Sequence, residues 1–191
     1  FWKNPKKMIE ELHDRGLKLV LWQIPVLKKQ DAKEELSEQL VLDKEYAMEH
    51  HLVVKNQDGT PYTIPDGNWF AGSMIPDFTN PETKKFWFQK RQYLSDIGVD
   101  GYKTDGGEFI YDENISFFNG MTGKSGKNRY CQEYINAYHE FITENQVLFS
   151  RAGYAGMSHT PVLWAGDHQS TNEELKNSLN AGLSAAMSGI F

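Results

Sequence analysis

The sequence is poor in the features that mark several common classes of protein. It has 1 Cys, so no disulfide can form within the chain, which favours a reducing compartment such as the cytoplasm. Its longest apolar stretch, Leu17–Val26, is interrupted by Lys18 and Gln23 and is too short and too polar to span a membrane. The net charge of −6 offers no basic surface, so we expect neither a membrane nor a nucleic acid as partner.

Sequence motifs for metal, nucleophile and phosphate sites are also missing. The chain has no His-x-x-x-His or Cys-x-x-Cys spacing, no Gly-x-Ser-x-Gly elbow and no phosphate-binding loop of the Gly-x-x-x-x-Gly-Lys-Ser/Thr type. We therefore expect no metal and no cofactor. A metal site is the main chemical alternative, with the candidate ligands His50, His51, His159 and His168 beside two aspartates.

What the chain does contain is apolar and aromatic material. Its 191 residues are 39% hydrophobic, which is enough for a sizeable core and indicates one globular unit. Aromatic residues make up 13%, and their rings can pack in the core or stack on the apolar face of a sugar. The first residues, Phe1–Pro5, lack both a Met and the pattern of a signal peptide, so we expect the chain to be part of a longer protein.

Helical and strand patterns alternate along the chain. Asn4 and Pro5 begin a helix that Gly16 closes, and Leu17–Ile24 is a near-continuous apolar run typical of a parallel strand. The further predicted helices are 32–50, with Leu36, Leu40 and Tyr46 on its inner face, Pro81 to Asp96, capped by Asn80, Arg129–Glu144, and Glu173–Met187, capped by Asn172. The further predicted strands are Val99–Thr104, Val147–Ser150 and Pro161–Ala165. A hairpin is predicted over 52–64, with its turn at Asp58-Gly59.

This alternation predicts an α/β fold in which crossover helices join parallel strands. Segments 28–76 and 106–128 are predicted to be loop excursions from the main sheet. Functional residues of such sheets collect where the strands end. The candidates at these ends are Trp22, Lys103, Asp105, Arg151, Trp164 and Asp167. Their shared placement is a stronger indication of a site than any one of them.

Asp105 is the sharpest candidate for a catalytic group. Gly106 and Gly107 follow it, so the chain can turn tightly and leave the carboxylate open to a ligand. Lys103 lies two residues earlier and points to the same side of the strand, and a neighbouring cation keeps an aspartate ionised, as a nucleophile requires. The structural alternative is an aspartate that caps a helix or ends a strand without taking part in chemistry.

A second carboxylate, Asp167, ends the segment Trp164-Ala165-Gly166-Asp167. A carboxylic acid beside an indole tends to hold its proton, which suits a general acid, and the alternative is an exposed loop aspartate. Glu108 competes for either role, or holds Lys103 in place, or contacts a sugar hydroxyl. The other binding candidates are Arg151, as a fork for hydroxyls or as a rim ion pair, and Trp22 and Trp69, as walls of a sugar site or as core residues.

Two carboxylates at strand ends, with aromatic and basic neighbours, are typical of sites that cleave a glycosidic bond with an acid and a nucleophile. At these residues the chain resembles glycoside hydrolase family 31, the α-glucosidase and α-xylosidase family. The similar segments are Gly-Val-Asp-Gly-Tyr-Lys-Thr-Asp-Gly-Gly-Glu at 98–108, Ser-Arg-Ala-Gly-Tyr-Ala-Gly at 150–156, Trp-Ala-Gly-Asp at 164–167, Met8–Pro25 and Asp77–Pro81. The resemblance therefore covers most of the chain in order.

The resemblance implies a retaining α-glycosidase that acts on α-linked glucosides or xylosides, with Asp105 as nucleophile and Asp167 as acid and base. Arg151, Trp22 and Lys103 would line the sugar site at the cleaved bond. The implied fold is a (β/α)8 TIM-type barrel, of which the chain spans roughly the third to sixth strand units, without flanking domains. Position 106 is Gly, where the family branch with Lys-Thr-Asp often has Phe and other branches have Met, which leaves the exact sugar open.

Two alternatives stay open at this point, an α-galactosidase-type or other α-glycosidase barrel and a non-catalytic carbohydrate-binding remnant of a barrel. In each case the expected partner is an oligosaccharide or glycoside. The open edges of a partial sheet invite association, so oligomerisation through them is a further expectation. We expect these 191 residues alone to have little or no activity, because part of the sugar site is absent.

Overall fold

The computed structural model describes residues 2–30, 37–154, 156–160 and 162–190. Its helices are α1 (Pro5–Asp14), α2 (Glu38–Glu49), α3 (Pro81–Gln89), α4 (Gln92–Asp96), α5 (Gly123–Phe141) and α6 (Asn172–Ala186), and its strands are β1 (Val20–Gln23), β2 (Lys55–Asn56), β3 (Gly101–Thr104), β4 (Ile115–Ser116) and β5 (Val147–Ser150). Within the described ranges, no helix has the length and apolar character needed to cross a bilayer. The chain divides into two compact units, 1–23 with 91–106 and 135–191, and 24–90 with 107–134.

The first unit is built on a parallel sheet with the order β1-β3-β5. Trp22 pairs with Lys103 across β1 and β3, and Lys103 pairs with Phe149 across β3 and β5, so the strands end at one edge of the sheet. The predicted parallel α/β arrangement is confirmed for these strands. On one face of the sheet, the ring of Tyr102 packs against those of Tyr138 and Phe141.

The predicted strands Leu17–Ile24 and Val99–Thr104 are shorter in the structure, where they form β1 and β3. Leu17–Ile24 was expected to pair throughout, but only Val20–Gln23 does so, and Val20 and Trp22 of this strand are exposed rather than buried. The prediction of a strand over 161–165 is wrong for its described part, where Leu163 forms a single parallel bridge with Ser150. Pro161 lies outside the described residues. Hydrophobic runs mark where a strand is favoured, but the partner strand decides how many residues pair.

Side-chain caps explain where several helices begin. Asn4 accepts a hydrogen bond from the backbone N–H of Lys7, and Asn80 accepts one from Glu82, so both predicted caps are confirmed. The cap predicted at Asn172 is wrong, because Thr171 accepts from the N–H of Glu174 and Asn172 is the first residue of α6. The prediction missed by one residue because both side chains are good caps, and only the backbone conformation separates them.

Three further helix predictions need correction. The expected helix over 32–50 begins at Glu38 after the cap Ser37, while Leu36 lies outside the described residues. Tyr46 was expected to face inward but is 46% exposed, with its ring stacked on those of His50 and Phe86. The expected helix from Pro81 to Asp96 is divided into α3 and α4.

Helix α5 starts at Gly123, well before the predicted start at Arg129. The glycine-rich segment before Arg129 was expected to be a loop, since Gly disfavours helix interiors. At Gly126 the absence of a side chain is what allows packing, because a β-carbon there would collide with the ring of Phe117. Close packing of an aromatic ring therefore outweighs the low helix propensity of glycine at this position.

The second unit contains most of the two expected excursions. The predicted hairpin forms, with Asn56 donating to Thr60, Tyr62 donating to Val54 and Gly59 at φ +83° in the turn. Strand β2 of this hairpin pairs antiparallel with β4, which belongs to segment 106–128. The core of the unit is aromatic and is formed by the clustered rings of Phe78, Trp87, Phe117, Tyr130 and Tyr134.

Candidate active site

Asp105 lies immediately after the last residue of β3, at the edge where the parallel strands end. Its backbone N–H donates to the carbonyl of Gln23, which extends the pairing between β1 and β3 by one step. Gly106 and Gly107 follow with φ values of +68° and +101°, a conformation that L side chains rarely adopt. The residue is 7% exposed. The chain thus turns sharply after Asp105, as the sequence predicted, and the carboxylate lies buried at the sheet edge.

Donors approach both oxygens of the Asp105 carboxylate. The indole Nε1 of Trp22 donates to Oδ2 at 2.6 Å, and the backbone N–H of Gly106 donates to Oδ1 at 2.9 Å. The Nη1 atom of Arg151 lies 3.6 Å from Oδ1, which makes an ion pair. Hydrogen bonds to a carboxylate are short and directional, so these contacts hold the Asp105 carboxylate in one orientation. That is what a nucleophile requires.

Arg151 reaches this position because β5 is hydrogen-bonded to β3. Its backbone N–H donates to the carbonyl of Thr104, and the hydroxyl of Thr104 donates to that of Ser150 beneath it. These pairings place the residue after β5 beside the residue after β3. Lys103 is the cation that the sequence predicts beside Asp105, and the structure shows an ion pair between Asp105 and Arg151.

Lys103 contacts aromatic rings. Its Nζ lies 4.5 Å from the centroid of the Trp164 ring and 5.7 Å from that of Phe149. The guanidinium carbon of Arg151 is 5.5 Å from the same Trp164 ring. Such distances are within the range of cation–π attraction. The contacts therefore link Trp22, Lys103, Asp105, Arg151 and Trp164 into one group at the sheet edge.

Asp167 lies in the loop that follows Trp164 and is exposed. The loop is attached at both ends. Trp164 donates its backbone N–H to the carbonyl of Ser150, and His168 Nδ1 lies 3.1 Å from a carboxylate oxygen of Glu174 in α6. Gly166 between them has φ +113°. The structure thus places Asp167 in a short segment anchored next to the group that surrounds Asp105.

The remaining two candidates, Trp69 and Glu108, belong to the second unit. Trp69 is 45% exposed, and its ring lies 4.9 Å from that of Phe70 and 6.1 Å from that of Phe109, centroid to centroid. Glu108 is half-buried. An exposed indole supported by other rings is suited to stacking on a sugar, and both residues stay predictions for binding.

Sequence reasoning missed a polar cluster on the opposite face of β1 from Trp22. Gln23 Oε1 accepts from Arg91 Nε at 2.7 Å and from the hydroxyl of Tyr138 at 2.8 Å, and Gln23 Nε2 donates to the carbonyl of Trp22 at 2.8 Å. The signal was present in the sequence, because Gln23 stands between the apolar residues Trp22 and Ile24. Gln23 is half-buried, and a polar side chain withdrawn from water needs partners, so its position predicts a hydrogen-bond network on this face of the strand.

Three of the four histidines raised as metal ligands have other contacts. His159 lies within hydrogen-bond distance of Asn136 and of the carbonyl of Gly156, and His168 pairs with Glu174. His50 lies against the carbonyl of Tyr46. Across the part of the chain that the structure describes, no group of at least three His, Cys, Asp or Glu residues is arranged to hold a metal ion.

The chain matches a known protein family over its whole length. The profile of the glycosyl hydrolases family 31 TIM-barrel domain matches residues 1–191. Among curated proteins, the chain is 39% identical over 193 residues to an isomaltosyltransferase of Sporosarcina globispora, covering 99% of this chain and 17% of that protein.

Solved structures agree with this match. A cycloalternan-forming enzyme from Listeria monocytogenes, in complex with a pentasaccharide substrate, superposes with a TM-score of 0.93 at 38% identity, covering 99% of this chain and 18% of that one. A cycloalternan-degrading enzyme from Trueperella pyogenes, in complex with a covalent intermediate, superposes with a TM-score of 0.91 at 36% identity, covering 100% and 26%. The chain thus spans between 17% and 26% of the length of these relatives.

Proposed function

The chain belongs to glycosyl hydrolase family 31, and from this premise we propose that it forms the part of a retaining α-glycosidase barrel that carries both catalytic carboxylates. Asp105 is the nucleophile, and Asp167 is the general acid and then the general base. The substrates are oligosaccharides or glycosides with α-linked glucose or xylose. Within the barrel, the chain supplies roughly the third to sixth strand units.

The main support for the proposal is the set of contacts around the Asp105 carboxylate. A buried carboxylate at the carboxyl edge of a parallel sheet accepts from Trp22 and Gly106 and pairs with Arg151. In barrels of this kind, residues at that edge perform the chemistry. The arginine and the donors hold the carboxylate in one orientation, so that it can attack a carbon atom held in front of it.

The proposed reaction has two balanced steps. In the first, an oxygen of Asp105 bonds to the anomeric carbon while the glycosidic C–O bond breaks, and the leaving oxygen takes the proton of Asp167. In the second, an acceptor O–H attacks the same carbon and gives its proton to Asp167, while the bond to Asp105 breaks and its electron pair returns to the carboxylate. Two inversions give net retention, which requires carboxyl groups about 5–5.5 Å apart.

The named relatives support two details of this scheme. One of the similar structures contains a covalent intermediate, which supports double displacement. Another relative is named as an isomaltosyltransferase, which favours α-linked glucose units and a sugar hydroxyl as an acceptor in competition with water. Analysis of products from an α-linked glucose oligosaccharide distinguishes the two acceptors, because transfer gives longer chains and hydrolysis gives shorter ones.

The test uses the full-length protein that carries these residues. After treatment with a mechanism-based α-glycosyl fluoride, we expect mass spectrometry to find the sugar on the peptide that contains Asp105. Asp105→Asn should abolish the label, while Asp96→Asn, a matched change at an exposed helical aspartate, should keep it. A label on a different residue refutes the assignment. Rates on aryl α-glucosides, α-xylosides and α-galactosides then define the sugar, and inactivity on all of them favours a non-catalytic barrel.

A further inference from the structure

The indole N–H of Trp22 donates a hydrogen bond to the carboxylate of Asp105, and this bond has a chemical consequence. Trp22 reaches Oδ2 of the carboxylate at 2.6 Å, whereas Gly106 and Arg151 reach Oδ1. We propose that the indole N–H of Trp22 serves the second half of the reaction, in which it stabilises the Asp105 carboxylate as the sugar leaves it. The inference rests on the proposed function, since it requires a covalent intermediate on Asp105.

The charge on Asp105 changes in opposite directions in the two steps. In the first step the carboxylate becomes a neutral ester, so a hydrogen bond to it weakens on the way to the transition state and does not accelerate attack. In the second step the negative charge returns, so the same hydrogen bond strengthens as the C–O bond breaks. Only interactions that are stronger in the transition state accelerate a step, so the N–H of Trp22 favours release of the sugar.

The donor is held in place before the reaction begins. Gln23 Nε2 donates to the carbonyl of Trp22 at 2.8 Å, and the backbone N–H of Asp105 donates to the carbonyl of Gln23 at 2.9 Å. Arg91 and Tyr138 fix the side chain of Gln23 from behind the strand. The donor and acceptor are thus attached to neighbouring, hydrogen-bonded strands, so little reorganisation is needed when charge returns to Asp105.

The experiment compares Trp22→Phe with the wild type in the full-length protein. Phenylalanine keeps a ring at a position that is 47% exposed but removes the N–H, so the fold should be kept. The substrate is an aryl α-glucoside with a good leaving group, for which the first step is fast. Trp2→Phe is the matched control, because Trp2 is 70% exposed and takes no part in the site.

We expect kcat and KM of Trp22→Phe to fall together by about tenfold or more, as loss of a hydrogen bond to a charged group predicts. The ratio kcat/KM, which reports the first step, should stay within about threefold of the wild-type value. A burst of released phenol and a larger fraction of glycosylated Asp105 in mass spectra should accompany the change. Trp2→Phe should match the wild type in all of these.

Three results would overturn the inference. If kcat/KM falls as far as kcat at constant KM, Trp22 acts in the first step. A higher KM at unchanged kcat means that Trp22 only contacts the sugar, and unchanged constants mean that the hydrogen bond has no kinetic role. Failure of the proposed function itself gives a different result, because the wild-type protein would then show no glycosylated Asp105.

Discussion

The Nζ atom of Lys103 lies 4.5 Å from the centroid of the Trp164 ring. Lys103 belongs to β3, which ends one residue before the proposed nucleophile, and Trp164 lies three positions before Asp167 in the chain. The guanidinium of Arg151 faces the same indole. One ring therefore joins the strand that carries Asp105 to the loop that carries Asp167, through contacts with two cations.

Replacement of this ring should loosen the loop. Trp164→Leu removes cation–π contacts that contribute about 0.5–2 kcal/mol each, so the amides of residues 162–168 should exchange with deuterium faster. Mass spectrometry of the exchanged peptides measures the effect. Trp2→Leu, at an exposed position, should leave exchange in this segment unchanged. Equal protection of residues 162–168 in Trp164→Leu and wild type would show that other contacts hold the loop.

Close packing of β3 against β5 depends on the first residue of β3. A β-carbon at Gly101 would fall on the backbone oxygen of Val147 and close to its side chain, where neither strand can move without losing pairing. Gly101→Ala should lower the free energy of unfolding by about 1–3 kcal/mol, as overpacking does. Chemical denaturation measures this value.

Gly182 in α6 is the matched control for this change, because a β-carbon there meets nothing within 4 Å. Gly182→Ala should be neutral or stabilise the protein by about 0.5–1 kcal/mol, since alanine favours a helix more than glycine does. Similar effects of the two substitutions would contradict the packing argument.

Asp100 gives the stability a predictable pH dependence. Its burial alone would raise the carboxyl pKa, but hydrogen bonds from the backbone N–H of Leu19, from His13 and from Lys18 together lower the pKa below the usual value of 3.8. A lowered pKa in the folded state stabilises the fold above the unfolded pKa, and this stability is lost as the pH falls through the folded pKa.

Asp100→Asn should therefore lower the thermal midpoint most near neutral pH, and its difference from wild type should shrink as the pH falls below about 4. Melting curves at a series of pH values test this. Asp96→Asn, at an exposed residue, should differ little from wild type throughout. If the difference in thermal midpoint between Asp100→Asn and wild type stays constant down to low pH, then the charge of Asp100 does not stabilise the fold.

The parts of the site that the sequence predicted are those that local rules decide. Strand β5 has the predicted bounds Val147–Ser150, and Asp105 follows β3 at a glycine turn, because apolar runs and glycines act within a few residues of each other. Asn4 and Asn80 cap their helices for the same reason. Each of these features depends on neighbours in the chain.

The parts that could not be predicted depend on contacts between distant residues. Alternation along β3 put Lys103 on the side of Asp105, but alternation gives only a direction, and Trp164 supplies a ring that attracts its ammonium group. The register of β3 with β1 brings Trp22 to Asp105, and the register with β5 brings Arg151 there. Register follows from pairing of whole strands, which no single motif encodes.

The proposed role of Asp167 as acid and base predicts a dependence on the leaving group. Asp167→Ala should lower kcat/KM for an α-linked oligosaccharide by about 10²–10⁴-fold, because its leaving oxygen needs a proton. An α-glycosyl fluoride needs no such proton, so its first step should be nearly unaffected. Burst kinetics with the fluoride and steady-state rates with the oligosaccharide measure the two effects in the full-length protein.

The second step of Asp167→Ala should be slow, because no base activates the acceptor. Azide needs no base, so adding it should speed turnover and yield an α-glycosyl azide, the product with retained configuration. Asp105→Asn should give no such product, since it cannot form the β-linked ester that azide attacks. If Asp167→Ala loses activity equally on both substrates and gives no α-glycosyl azide, then Asp167 is not the acid and base.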